Sequence, residues 1–190
     1  MKVLGITGSP RRGGNTDTLL AEMMRGAADK GAETKTLVLH DFNIGACHHC
    51  DFCYKAGICH IKDDMQMVFK ELAAADRIIL ASPVQFMGVT GEMKVMMDRG
   101  QSIWARKYIL KIPSLEPVKD RQGFFISVGA RKTANLFEPS LAIVKSYFSV
   151  LNVKYTGDLL VPGIDEKGAI LKHPDTLQLA YAAGQKLVNS

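Results

Sequence analysis

The sequence lacks the features that would assign it to a membrane, secreted or repeat class. Its first nine residues, MKVLGITGS, contain one lysine and a short apolar run. Such a run is too short for the core of a signal peptide and far too short to span a membrane. We therefore expect a cytoplasmic protein with no membrane partner. No low-complexity segment and no internal repeat at a solenoid period is present, which argues against repeat architectures.

A concentrated basic segment is also missing, although the formal net charge is +5. The basic residues fall into small scattered groups at residues 11–12, 106–111 and 131–132, and aromatic residues are not interleaved with them in a long run. This pattern argues against a nucleic-acid partner. A solvated surface or a phosphorylated cofactor accounts for such charges. With 190 residues, of which 47% are hydrophobic and 23% charged, we expect one domain covering residues 1–190.

Short apolar or β-branched runs alternate with amphipathic segments along the chain. The predicted strands are Lys2–Thr7, Glu33–Leu39, Arg77–Ala81, Gly123–Val128 and Leu159–Val161. The predicted helices are Thr18–Lys30 with an N-cap at Asn15 or Thr16, Asp63–Ala75, one from about Gly91, one through Leu141–Leu151, and Pro174–Val188. This alternation predicts an α/β fold, a flavodoxin-like three-layer sandwich with a five-stranded parallel sheet in the order 2-1-3-4-5 and helices on both faces. The ligand site of that fold lies at the carboxyl ends of strands 1 and 3.

The segment after the first predicted strand, TGSPRRGGNTDT, combines glycines with polar side chains. A helix N-terminus offers unpaired N–H groups and partial positive charge, and Ser9, Asn15 and Thr16 add further donors. Arg11 adds a full charge. Asn15 stands where a Walker loop needs lysine, and the dinucleotide pattern G-x-G-x-x-G is missing. We expect a mononucleotide phosphate, usually that of flavin mononucleotide (FMN); an ordinary glycine-rich turn is the alternative.

The segment after the third predicted strand, ASPVQFMGVTGE, faces the first loop across the predicted crevice. Pro83 ends the strand at the switch point of the sheet. Val84, Phe86 and Met87 offer an apolar surface for a flat ring, Gln85 offers a hydrogen bond to its edge, and free backbone N–H groups in the loop offer more. Alternatively, Phe86 and Met87 only cap the core.

The motifs GSPRRGGNT and ASPVQFMGVTGEMKVMMDR resemble the NADPH-dependent FMN reductase group of flavodoxin-like proteins, over most of residues 1–99. The resemblance implies phosphate contacts by Ser9, Arg11, Asn15 and Thr16, and ring contacts by Pro83, Val84, Gln85 and Phe86. The segment SVGARKTAN is similar in place but not in detail, and it implies Gly129 and Ala130 as ring neighbours. The flavin would carry the chemistry, so no catalytic side chain is predicted.

All four cysteines lie in residues 47–59, CHHCDFCYKAGIC, with the spacing C-x2-C-x2-C-x5-C. Disulfides are not expected in a cytoplasmic chain. Structural zinc usually takes two C-x2-C pairs separated by a dozen or more residues. Successive x2 steps suit a [4Fe–4S] cluster, which takes one thiolate at each iron. The predicted ligands are Cys47, Cys50, Cys53 and Cys59, with Gly57 turning the chain back; zinc, helped by His48, His49 or His60, and an unmetallated thiol loop are the alternatives.

The cysteine segment, followed by CHIKDDM, is similar to that of the iron–sulfur flavoproteins. The resemblance implies an oxidoreductase that couples a two-electron flavin to a one-electron cluster, with NAD(P)H or ferredoxin as donor. It also implies a homodimer or homotetramer in which the cluster of one subunit approaches the flavin of another. A cluster-free NAD(P)H-dependent FMN or quinone reductase is one alternative, and a non-enzymatic flavin- or zinc-binding redox sensor is another. Residues 99–121 are predicted as a long loop that covers the flavin, forms a subunit contact or faces solvent.

Overall fold

The computed structural model describes residues 1–189 and contains five strands and seven α-helices in that part of the chain. The strands are β1 Lys2–Thr7, β2 Glu33–Val38, β3 Arg77–Pro83, β4 Arg121–Gly129 and β5 Val153–Pro162. The helices are α1 Asn15–Ala28, α2 Phe52–Ala56, α3 Met65–Ala74, α4 Gly91–Arg99, α5 Gln101–Tyr108, α6 Glu138–Leu151 and α7 Pro174–Asn189. Within residues 1–189, no helix is both long enough and apolar enough to cross a membrane.

The five strands form one sheet in the order β2-β1-β3-β4-β5, and every neighbouring pair is parallel. The predicted flavodoxin-like architecture is therefore confirmed. The order reverses direction between β1 and β3, since the chain moves outward to β2 from β1 and then returns to β3 on the other side. A crevice forms at such a point because the connections leave in opposite directions.

Each central strand contributes alternate side chains to the two faces of the sheet, as strand geometry requires. On β3, Ile79 packs with the helices α1 and α7, whereas Ile78 and Leu80 pack with α3, α4 and α6. Both faces are covered, so β3 is a nearly continuous apolar run in the sequence. The methionines Met93 and Met96 of α4 are fully buried in the second of these cores.

Helices α1 and α7 approach unusually closely, and a glycine on each helix makes this possible. A Cβ atom added at Gly184 would lie 1.9 Å from the Met23 carbonyl oxygen of α1. A Cβ atom added at Gly26 of α1 would likewise lie 2.1 Å from the Tyr181 carbonyl oxygen of α7. Both distances are far below van der Waals contact, so the backbones touch because neither glycine has a side chain. This contact seals the face of the sheet that lies opposite α3, α4 and α6.

The predicted start of the first helix is wrong by three residues. Helix α1 begins at Asn15, with Gly14 in the cap position and no side-chain cap hydrogen bond. The predicted capping role of Asn15 and Thr16 is therefore also wrong. The Asn15 amide instead donates to the Glu166 carbonyl (2.8 Å) and accepts from the Ile170 N–H (3.2 Å). A tertiary contact with the segment after β5 has replaced the local cap.

The last strand is much longer than predicted, because β5 runs over Val153–Pro162 rather than Leu159–Val161. It lies at the edge of the sheet, and Lys154, Thr156 and Asp158 alternate outward into solvent. These polar residues concealed the strand in the sequence.

Two segments predicted as loops contain helices, namely α2 within the cysteine segment and α5 within residues 99–121. Boundaries of β2, β3, β4, α3 and α7 differ from the predictions by only one or two residues.

Candidate functional site

A cavity of about 210 Å³ lies at the carboxyl ends of β1, β3 and β4. We call it the crevice cavity. Eight of the nine residues predicted to contact the cofactor line it: Ser9, Arg11, Asn15, Thr16, Pro83, Val84, Gln85 and Gly129. Ala130 lines it too. The topology has thus brought together side chains from three separate loops, as the predicted sheet order requires.

The lining of the crevice cavity is partly polar and partly apolar. The loop after β1 contributes Ser9 and Arg11, while Val84, Val128 and Ile164 contribute apolar side chains. A phosphorylated ligand with a flat aromatic ring also combines a polar part with an apolar part. The segment after β5, with Ile164 and Asp165, was missed because the end of β5 was not recognised as part of the same edge of the sheet.

The loop after β1 is held in place by the first turn of α1. The Thr7 hydroxyl donates to one Asp17 carboxylate oxygen (2.8 Å), and the Gly13 N–H donates to the other (2.9 Å). The first N–H groups of a helix have no partner inside the helix, so the start of α1 presents donors to the loop. Arg11 reaches across and donates to the Asp165 carbonyl (2.8 Å). The loop is therefore shaped before any anion arrives.

Thr90, the N-cap of α4, connects this loop to the loop after β3. Its hydroxyl donates to the Gly8 carbonyl (2.6 Å) and accepts from the Met93 N–H (3.3 Å). Thr90 is fully buried. One side chain thus caps α4 and fixes the start of the loop after β1.

The loop after β3 forms a tight turn in which Gln85 and Gly88 exchange two backbone hydrogen bonds of 3.0 and 2.9 Å. Phe86 (φ 46°) and Met87 (φ 68°) lie in the left-handed region at the tip. Such positions are costly for non-glycine residues and concentrate at functional sites. The Val84 N–H also bonds the Val128 carbonyl (2.8 Å), so the N–H groups of Val84, Gln85 and Gly88, which the sequence suggested were free, are engaged.

Phe86 lies outside the crevice cavity, as does Met87, which the sequence also offered as a surface for the ring. The Phe86 side chain is fully exposed, and it lines an adjoining cavity of about 380 Å³ together with Met87, Arg131 and Leu136. The two cavities share Val84 and Ala130. A ring placed against Val84 in the crevice cavity would therefore have the second cavity beside it, where another reactant has room to approach.

The four cysteines line a separate small cavity of about 20 Å³, which we call the cysteine cavity. Cys50 is exposed and the other three thiols are half-buried. The Cys50 sulfur lies 3.5 Å from the His60 Nδ1, and the Cys53 thiol lies 3.9 Å from the Gln101 carbonyl oxygen. Burial raises the pKa of the Cys53 thiol, and the neighbouring cysteines raise it further, while a backbone hydrogen bond lowers it.

The backbone of the cysteine segment curls around this cavity. His49 (φ 51°) and Asp51 (φ 57°), on either side of Cys50, both adopt the left-handed conformation. Gly57 (φ 68°) ends α2 and donates its N–H to the Cys53 carbonyl (2.9 Å). The chain turns back there, so Cys59 reaches the same cavity, as the sequence predicted.

A buried ion pair closes the segment from outside. Arg99, at the end of α4, donates to both oxygens of Asp63 at 2.5 and 3.1 Å, and neither side chain is more than 9% exposed. Arg99 also donates to the carbonyls of Gly45 (2.9 Å) and Ile61 (3.4 Å), which precede and follow the cysteines. Burial lowers the pKa of Arg99, but hydrogen bonding to Asp63 and negative charge at Cys59 and Asp63 raise it more.

Residues 99–121 form one wall of the cysteine cavity rather than a cover over the crevice cavity. Gln101 and Ser102 line the cysteine cavity with Arg99. Helix α5 packs beside α2, and the ring of Trp104 lies 6.0 Å from that of Tyr54.

Nothing in the sequence singles out Arg99, because it looks like any basic residue at a helix C-terminus.

The four thiols lie around one cavity, but the described residues form no ready-made site for a single metal ion. Among the described residues 1–189, no three His, Cys, Asp or Glu side chains are placed to hold one ion together. Four thiols are the donor set of a cluster with one thiolate at each iron and also of a four-coordinate zinc ion. Residues 46–51, which include Cys47 and Cys50, form no helix or strand.

Comparison with known proteins decides the family. Residues 1–147 match the NADPH-dependent FMN reductase family. The chain belongs to this family. As a member of the FMN reductase family, it is an oxidoreductase of the FMN-binding, NAD(P)H-dependent flavoproteins. It is similar to an iron-sulfur flavoprotein of Methanocaldococcus jannaschii, with 34% identity over 158 residues that cover 83% of this chain and 77% of the relative.

Solved structures place this FMN reductase family member among flavodoxin-like folds. A flavone reductase superposes with a TM-score of 0.74 at 22% identity over the whole of this chain, which spans only 62% of the flavone reductase. An NAD(P)H:quinone oxidoreductase from Methanothermobacter marburgensis superposes with a TM-score of 0.72 at 16% identity, covering 98% of this chain and 96% of that enzyme. At these identities the likeness shows the fold alone.

Proposed function

We propose that this reductase is a single-domain flavoprotein that binds FMN in the crevice cavity and a [4Fe–4S] cluster at Cys47, Cys50, Cys53 and Cys59. It passes electrons between a reduced donor, NAD(P)H or a ferredoxin, and an acceptor. FMN supplies two-electron chemistry and the cluster supplies one-electron transfer. The single observation that carries the proposal is the convergence of eight predicted cofactor residues on one cavity and of all four cysteines on another.

The residues of the crevice cavity would divide the work of binding FMN. The N–H groups at the start of α1, with Ser9, Thr16 and the charge of Arg11, would hold the phosphate. Val84, Gln85 and Gly129 would hold the ring against the ends of β3 and β4. Pro83 and Phe86 would shape the two ends of the loop after β3. Asn15, whose amide is engaged on both sides, would keep the segment after β5 in place beside the phosphate.

The cysteine segment is the reason for preferring a cluster over the simple reductase. The similar protein of M. jannaschii is named an iron-sulfur flavoprotein, which supports the cluster here. A zinc ion is less well matched, because structural zinc sites usually take two C-x2-C pairs separated by a dozen or more residues. We also propose a cytoplasmic homodimer or homotetramer, in which the exposed tip at Phe86 is available to a second subunit or to a redox partner.

The decisive experiment is purification without oxygen, followed by an absorption spectrum and analysis of bound FMN, iron and acid-labile sulfide. We expect one flavin and about four irons and four sulfides per chain. Flavin without iron, with retained oxidation of NADPH, would establish the cluster-free reductase instead. Colourless protein with stoichiometric zinc would overturn both the cluster-containing and the cluster-free reductase. Light scattering on the same sample measures the number of subunits.

Matched variants separate the two sites. Cys53→Ser should abolish iron binding and leave FMN binding unchanged, because Cys53 lines only the cysteine cavity. Arg11→Gln should weaken FMN binding about tenfold, as expected for loss of one charge-assisted contact to phosphate, and leave iron unchanged. Loss of both cofactors in either variant would contradict two independent sites.

A further inference from the structure

Arg99 has a hydrogen-bond donor that the ion pair with Asp63 does not use. Its two terminal nitrogens bond Asp63, Gly45 and Ile61. Its Nε atom is buried and has no hydrogen-bond acceptor at ordinary geometry among residues 1–189. A buried donor without a partner costs free energy, so it calls for a ligand or a function.

The free donor belongs to a residue that lines the cysteine cavity. Arg99 lines that cavity with all four cysteines, and negative charge and hydrogen bonding at Cys59 raise the pKa of the guanidinium. Water and salt screen this charge poorly, because the Arg99 side chain is completely buried. The carboxylate of Asp63 lies on the other side of the guanidinium and offsets part of the charge.

We propose that Arg99 is a positioning residue for the cysteine site that also raises its reduction potential. It holds both ends of the cysteine segment and presents its Nε–H and its positive charge to the sulfur of Cys59. A nearby cation and hydrogen bonds to sulfur stabilise the more negative, reduced form of an iron–sulfur group. This inference rests on the proposed function, in which the four cysteines hold a cluster.

The test compares midpoint reduction potentials in the full-length protein, reconstituted with iron and sulfide without oxygen and titrated with dithionite. Arg99→Gln removes the charge, so the equilibrium constant for one-electron reduction should fall at least tenfold, about 59 mV. Asp63→Asn keeps an acceptor oxygen but removes the opposing charge, so the potential should rise instead. The opposite signs separate tuning by charge from simple loss of structure.

Two further variants keep the result interpretable. Arg99→Lys keeps the charge, so its potential should lie nearer to the wild-type value than to that of Arg99→Gln. Lys94→Gln removes an exposed cation from the same helix, where Lys94 pairs with Asp98, and it should leave the potential unchanged. If Arg99→Gln cannot retain a cluster, Asp63→Asn and Arg99→Lys decide the question.

The outcomes distinguish this inference from the proposed function. Wild-type protein that binds no iron overturns both. Bound iron whose reduction potential does not move in Arg99→Gln and Asp63→Asn overturns the inference alone. Shifts of the same sign in Arg99→Gln and Asp63→Asn also overturn it, because they would show that Arg99 only holds the segment in place.

Discussion

The crevice cavity and the cysteine cavity are built in different ways. The first stands at the ends of β1, β3 and β4, and its loops are fixed both by local hydrogen bonds such as those of Asp17 and by long-range ones such as that from Thr90 to Gly8. The second lies in a segment whose regular structure is one five-residue helix, and a buried ion pair closes it. A site on strand ends is positioned by the sheet itself, whereas a site in an inserted segment has no sheet beneath it and depends on tertiary contacts such as the Asp63–Arg99 ion pair.

The strongest test of this comparison removes the ion pair. Asp63→Ala leaves the Arg99 charge buried and unpaired, and it removes the acceptor for the N–H groups of Gly45 and Met65. We expect the free energy of unfolding to fall by about 3–5 kcal/mol, measured by urea denaturation of the cofactor-free protein. Lys94→Ala, at an exposed pair, is the control and should cost less than about 1 kcal/mol. Equal small losses would mean that other contacts hold the segment.

A substitution remote from both cavities should destabilise the whole protein without weakening the binding of one cofactor more than that of the other. Gly184→Ala forces α1 and α7 apart and should lower the free energy of unfolding by about 1–3 kcal/mol. The affinities for FMN and iron in the folded protein should remain unchanged. Gly91→Ala is the control, since an added Cβ there meets nothing within 4 Å. Selective loss of one cofactor in Gly184→Ala would contradict the independence of the sheet from the sites.

The crevice cavity can be disturbed through Thr90. Thr90→Val removes the cap of α4 and leaves the Gly8 carbonyl without its donor. We expect a loss of about 1–2 kcal/mol in the free energy of unfolding and weaker FMN binding, measured by fluorescence titration. Thr90→Ser retains the hydroxyl and should behave like the wild type. Unchanged FMN affinity in Thr90→Val would show that the loop after β1 holds its shape without this tether.

The strained tip after β3 should show a smaller effect on stability. Phe86→Gly relieves a left-handed residue but adds freedom to the unfolded chain, so the free energy of unfolding should change by less than about 1 kcal/mol. Reaction with the acceptor should slow more than FMN binding weakens, because Phe86 lines only the adjoining cavity. Stopped-flow measurement of flavin reoxidation distinguishes the two. Phe86→Ala also removes the ring but retains the unfavourable left-handed backbone conformation of a non-glycine residue, so it serves as the comparison.

We expect the smallest change in the free energy of unfolding when the pH is lowered moderately. Hydrogen bonds to Arg99, Gly45 and Met65 lower the pKa of Asp63 against the opposing effect of burial, and Lys119 lowers that of Asp76 in the same way. The ordinary pKa of an aspartate, which applies in the unfolded chain, is 3.8. A carboxyl group whose pKa is lower in the folded protein stabilises the fold at pH values above 3.8. That stabilisation is lost as the pH falls from 3.8 through the lower pKa of the folded protein. Urea denaturation should therefore show no loss from these groups between pH 7 and 5, and a loss below about pH 4. Asp63→Asn should reduce that acid loss.

The predictability of the two sites from sequence follows the same division. The sheet order and the eight residues of the crevice cavity were predictable because apolar runs and loop motifs encode them locally. The cysteine spacing was equally visible, and Gly57 marked the turn. Arg99 was not predictable, because its role depends on Asp63, which lies 36 residues away. The edge strand β5 was underestimated because its outward residues are polar. The metal occupancy of the segment stays a prediction.

Helix α4 connects the two cavities. Its first turn is tied to the loop after β1 through Thr90, and its last residue is Arg99 at the cysteine cavity. Nine helical residues rise roughly 13 Å. Because a packed helix hardly changes length, its two ends stay a fixed distance apart, and a displacement of one end along the helix axis would displace the other.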